Sequence, residues 1–129
     1  MCREMENWTS KDQFFAGLAA GRALSKLDEI GSWVDIAMHL QEEGVKGVPM
    51  DCACCPVARY VQKAIGDEMG VDPRGAVCEF DGDSHVTVTF VGSGGSPGQV
   101  DAQASGRELR KFADRFDEGK IPSLIEGEG

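Results

Sequence analysis

The sequence predicts an α+β fold: amino-terminal helices, a β-hairpin that makes a small antiparallel sheet with a third short strand available to it, and an amphipathic carboxyl-terminal helix. Three observations point there. Apolar residues recur at helical intervals on both sides of one central stretch, and inside that stretch they alternate with polar ones. Gly- and Pro-rich segments separate the periodic stretches. The run from Ser105 to Gly119 carries a capping pair, an apolar stripe and a glycine stop. A chain of 129 residues is the length of one domain, and 41% apolar with 27% charged residues is ordinary for a globular protein. The expected folded region is 8–125, with frayed ends at 1–7 and 126–129.

The first segment pairs Ser10 with Gln13 in capping-box spacing and places Phe14, Phe15, Leu18 and Ala19 on a helical stripe. Gly17 and Gly21 weaken it, so a short helix that ends or bends at Gly21 is expected. A second pattern spans 25–43, with starts at Ser25 or, after the breaker Gly31, at Ser32. Trp33, Ile36, Ala37 and Leu40 share a face, and Gly44 closes the helix in a left-handed conformation, which favours 32–43. GVKGVPMDCACC is a long loop. It hands over to a helix at Pro56, whose missing N–H costs nothing in a first turn. That helix buries Val57, Val61, Ala64 and Ile65 and stops at Gly66.

AVCEF and HVTVTFV alternate around DGDS as a hairpin, GSGGSPG is a flexible loop without the lysine and hydroxyl of a phosphate cradle, and QVDAQ supplies the third strand. In the last helix Ser105 and Glu108 form a capping box, and Leu109, Phe112, Ala113 and Phe116 fall at i, i+3, i+4 and i+7. Its remaining positions are charged in mixed sign and read as solvated. Ile121 and Leu124 tuck back onto the core, and EGEG is a tail.

Thirteen Lys and Arg against 22 Asp and Glu give a formal charge of −9. Such a field repels phosphates and anionic headgroups, which argues against direct nucleic-acid or membrane binding. It suits a basic protein surface, and in the extreme a protein that imitates DNA. The amino terminus has no apolar run of signal-peptide length, and no stretch approaches the ~20 apolar residues of a membrane span, so a cytoplasmic location is expected. Five cysteines, an odd number in a reducing compartment, disfavour a disulfide framework.

DCACCPV at 51–57 admits three readings. Zinc needs about four converging ligands, and Cys52 and Cys55 in C-x-x-C spacing could be completed by Cys78 and His85 on the hairpin. The strand pattern tests this. A two-residue turn at Asp81 and Gly82 sets Cys78 opposite His85 but scatters the apolar residues. A register shifted by one gathers Ala76, Cys78 and Phe80 with Val86, Val88 and Phe90, and sends His85 to the other side. The core prefers the shifted register. The second reading is a thiolate at Cys55, activated by the positive end of the helix, for which neither His39 nor His85 stands in a recognisable base motif. The third, and the favoured one, is a compact helix start. His39 is expected to be a partly exposed helix residue, and Trp8 and Trp33 core aromatics.

HLQEEGVKGVPMDCACCPVARYV, a hairpin and a helix ending RKFADRFDEGK resemble a group of small proteins from actinobacteria and their phages. Members of that group pass from a helix through an E-G-[IV]-x-G turn and a C-P-[LIV]-A-x-[YA] helix start to two strands and an F-x-x-x-F-D-x-G helix. Glu43, Gly44, Val45, Gly47, Cys55, Pro56, Val57, Ala58, Tyr60, Phe112, Phe116, Asp117 and Gly119 fit that outline, over roughly 32–121. The resemblance implies a layout and no activity, and its recurring cysteine corresponds to Cys55, while Cys52 and Cys54 are extra.

The expectation is a small acidic, cytoplasmic protein-binding or regulatory protein without catalysis, phage-encoded and host-directed on that resemblance, with no cofactor. Three alternatives stand beside it: a zinc-stabilised interaction module using Cys52, Cys55, Cys78 and His85, a thiol-dependent enzyme acting through Cys55, and an acidic DNA mimic. The partner and the oligomeric state are not legible.

Overall fold

The computed structural model describes residues 10–47, 55–70, 76–80, 85–90, 99–103, 107–121 and 124. Its architecture is α+β, with helices α1 (Ser10–Ile30), α2 (Trp33–Glu42), α3 (Pro56–Met69) and α4 (Arg107–Asp117) and strands β1 (Ala76–Phe80), β2 (His85–Phe90) and β3 (Gln99–Gln103).

The interruption expected at Gly21 does not occur. Ala16, Ala19, Ala20, Ala23, Leu24 and Leu27 form a buried stripe that runs straight past it. That burial outweighs the ~1 kcal/mol that a mid-helix glycine costs. α1 ends only before Gly31, whose φ is +100°. Residues 25–30 therefore belong to α1, and α2 takes the later start: Ser32 is its N-cap, its hydroxyl accepting the Asp35 N–H at 3.2 Å. Gly44 has the expected positive φ, 73°.

Cys55 caps α3 and Pro56 occupies its first turn. The stop expected at Gly66 is displaced. Gly66 is buried within the helix, which runs on to Met69 and closes at Gly70 (φ 65°, ψ 36°), whose N–H bonds back to the Gly66 carbonyl. A helical glycine does not end a helix whose apolar face stays packed, and the left-handed residue does.

The sheet is an antiparallel meander in the order β1-β2-β3. Ala76 faces Phe90, Cys78 faces Val88 and Phe80 faces Val86, the register that gathers the apolar face. β3 continues it, with Ala102 opposite Val86 and Val100 opposite Val88. α3 packs against β1 and α1 against β3, covering that face. The other face carries His85, Thr87, Thr89, Glu79 and Asp101 and is polar.

α4 buries Leu109, Phe112 and Phe116 and packs on α2. Trp33 is partly buried against the core, with the Arg115 guanidinium 5.7 Å from its ring centroid. Gly119 (φ 76°) follows α4. Ile121 and Leu124 are buried, and the Leu124 carbonyl accepts the Gly47 N–H at 2.7 Å. Cys2, Cys52, Cys54, Trp8, the DGDS turn, the GSGGSPG loop, Ser105 and the EGEG tail lie outside the described residues.

Candidate functional site

Cys55 sits at the helix start because its backbone, extended at φ −76° and ψ 156°, leads into a proline that is already helical in φ. Its Sγ accepts the Ala58 N–H at 3.3 Å, the place of the oxygen in a serine or aspartate cap. The side chain is buried. Cys78, also buried, points from β1 into the same core, and its S–H reaches the Ala76 carbonyl at 3.7 Å. Burial, with a smaller contribution from the neighbouring Cys55, pushes the Cys78 thiol up to about 12, so it stays protonated at neutral pH.

His85 projects from the opposite face of the sheet. Its Nε2 lies 3.2 Å from Asp101 Oδ1, which also accepts the Thr87 hydroxyl at 3.1 Å. Cys55 and Cys78 are thus brought together, while His85 is separated from them by the thickness of the sheet. Among the described residues no group of three His, Cys, Asp or Glu is arranged to hold a metal ion. Cys52, the remaining candidate ligand, lies outside the described residues.

His39 belongs to a cluster that sequence reasoning did not assemble. Its Nε2 is 3.3 Å from the Tyr60 hydroxyl, the two rings meet edge to face at 5.6 Å, and Glu43 Oε1 lies 3.9 Å away. Desolvation, then the charge of Glu43, raises the Tyr60 pKa, which keeps the phenol a hydrogen-bonding group at neutral pH. Tyr60 and Glu43 border a cleft of about 380 Å³ between α1 and α3. Across it Arg22 grips Glu68 through two bonds of 3.0 and 3.1 Å, and Lys63 reaches Glu43 at 3.4 Å. These charges largely satisfy one another and tie three helices together. The only local signal was the i, i+4 spacing of His39 and Glu43, since Tyr60 comes from another helix.

The surface departs from expectation on the first two helices. Phe14, Phe15 and Leu18, placed by the sequence on one helical stripe with Ala19, are exposed on α1 while Ala19 is buried, and Val34 and Met38 are exposed on α2. The available signal for α1 was the run Ala16, Ala19, Ala20, Ala23, Leu24 and Leu27, a longer stripe at the same period pointing the other way. On α2, Val34 and Met38 stand one turn apart, in line with Gln41, with Asp35 and Glu42 along one side.

No protein-family model, no curated protein and no solved structure matches the chain. No helix among the described residues is long and apolar enough to cross a membrane.

Proposed function

We propose that this is a non-catalytic protein-binding or regulatory protein of the cytoplasm, which engages a basic partner through the outward face of α2. On the layout resemblance we place it in an actinobacterium or its phage, acting on a host protein. The observation that carries the reading is the exposed Val34–Met38 pair bordered along one side by the carboxylates of Asp35 and Glu42. An apolar centre with a charged rim is the usual anatomy of a contact surface, and an acidic rim in a chain of net charge −9 selects a partner with lysine or arginine around its apolar anchors.

The interior supports this over the alternatives. A thiol at Cys55 that caps a helix from a buried position serves the fold, and Cys78 and His85 face apart. The acidic residues are spread over all four helices and two strands, and Glu43, Glu68, Glu108 and Glu118 are in ion pairs with Lys or Arg. A mimic of nucleic acid needs unpaired carboxylates in a row.

The test is affinity capture with the wild-type chain beside two variants, Val34→Glu with Met38→Glu, and Asp35→Lys with Glu42→Lys. Proteins retained by the wild type, released by salt and lost with both variants support the reading. Retention indifferent to both, or none above control, overturns it.

A further inference from the structure

We infer that the outward face of α1 is a self-association surface whose occupant is the same face of a second copy of this chain, packed antiparallel about a two-fold axis near Ala20. The inference is independent of the α2 surface.

α1 has 21 residues and is therefore about 30 Å long. Lys11, Phe14, Leu18, Ser25 and Glu29 recur at intervals that keep them on one stripe, and all are exposed. Read along the helix, the stripe begins with a cation, continues with the large apolar side chains Phe14, Phe15 and Leu18, passes to the small residues Gly21 and Ser25 beside Arg22 and Lys26, and ends with an anion. The small residues leave a hollow: Gly17, Gly21 and Ser25 border an open space of about 530 Å³ beside Gln103 of β3. A side chain added at Gly21 would meet nothing within 4 Å.

Knobs at one end and a hollow at the other fit together when a second copy runs the opposite way. Reversal about the midpoint of Ala19 and Ala20 sets Phe14 of each copy against Ser25 of the other and Leu18 against Gly21, so that both hollows are filled at once. It also brings Lys11 within one residue of Glu29, an offset of about 1.5 Å that two long side chains span, twice. Both charges are available for this. The Lys11 ammonium lies over the Phe15 ring at 5.9 Å, and Glu29 has no partner among the described residues. A two-fold contact requires one surface to complement itself in this way. A uniformly basic partner would match only one end of the stripe.

Sedimentation of the full chain across a concentration series tests the inference. A concentration-dependent dimer is expected, and Gly21→Leu, which fills the hollow, should abolish it with an unchanged far-ultraviolet circular dichroism spectrum. Lys11→Glu or Glu29→Lys alone should raise the dissociation constant about tenfold, because two exposed attractive pairs become repulsive. Mixing those two single variants should regenerate a dimer containing one chain of each, since every contact between them is again of opposite sign. This mixed dimer decides the matter even if Gly21→Leu fails to fold. A chain that stays monomeric at the highest soluble concentration, or a dimer indifferent to all these changes, overturns the inference.

Discussion

α4 and α1 are amphipathic in opposite senses. α4 turns its large residues inward, with Leu109, Phe112 and Phe116 buried and charged side chains elsewhere. α1 turns alanines inward, with Leu24 and Leu27, while Phe14 is 61% exposed, Phe15 44% and Leu18 41%. The cause lies in what each helix crosses. α1 packs against both α3 and β3, and at Gly17 an added Cβ would stand 3.5 Å from the Val100 side chain. A Cβ there would already be in van der Waals contact, which favours small residues on the inner side where α1 meets β3, ahead of the inward Leu24 and Leu27. The core of one chain accounts for the apolar residues of α4 and leaves three of those on α1 without a role.

The largest expected effect follows from that contrast. Phe112→Ala empties a site at the centre of the core beside Phe116, whose ring stacks on it at 6.3 Å, and should cost ~3–5 kcal/mol in urea unfolding. Phe14→Ala, measured at a concentration that keeps the chain monomeric, should stay within ~0.5 kcal/mol of wild type. Equal losses from the two would mean that the outer side of α1 is part of the fold, and would erase the distinction between the helices.

A smaller effect separates the ends of the two helices. Glu108, in the first turn of α4, accepts the Trp33 N–H at 3.2 Å and pairs with Lys111 at 3.1 Å. The hydrogen bond from Lys111, then that from Trp33, lowers its pKa. A carboxylate whose folded pKa is depressed adds stability that is fully present above its unfolded value of about 4.3 and is lost as pH falls through the folded one. Thermal melts from pH 7 down through pH 3 should therefore show Glu108→Gln less stable than wild type at neutral pH, with the gap closing in acid. A gap that persists at low pH would assign the loss to something other than the charge.

Legibility of the sequence followed the same division. The hairpin register could be read because strand alternation has only two parities, and one of them buries Ala76, Cys78, Phe80, Val86, Val88 and Phe90 together. α4 could be read because its apolar residues define a single stripe. α1 carries apolar residues on both sides, so periodicity identified a helix without saying which side was inside, and Gly21 disguised its length. In α3, Gly66 and Gly70 are alike in the sequence, and only the left-handed backbone at Gly70 distinguishes the stop. Of the candidate site, the capping role of Cys55 was legible from the proline that follows it. The His39–Tyr60 contact was not, because it joins residues 21 apart on different helices.

The smallest effect has the opposite sign and concerns the glycine that hid α1. Gly21 lies within a helix, is absent from the glycines of positive φ, and has open space where its Cβ would be. Alanine there introduces no clash and narrows the unfolded ensemble, so Gly21→Ala should stabilise the monomer by ~0.5–1 kcal/mol. After α4 the same chemical change does the reverse: Gly119 has a φ of 76°, a conformation that an L side chain resists by ~1 kcal/mol or more, and Gly119→Ala should destabilise. Urea midpoints measured on dilute protein check both. If Gly21→Ala instead lowers stability, the space outside α1 is occupied even in the monomer, and the hollow that a second copy needs is not there.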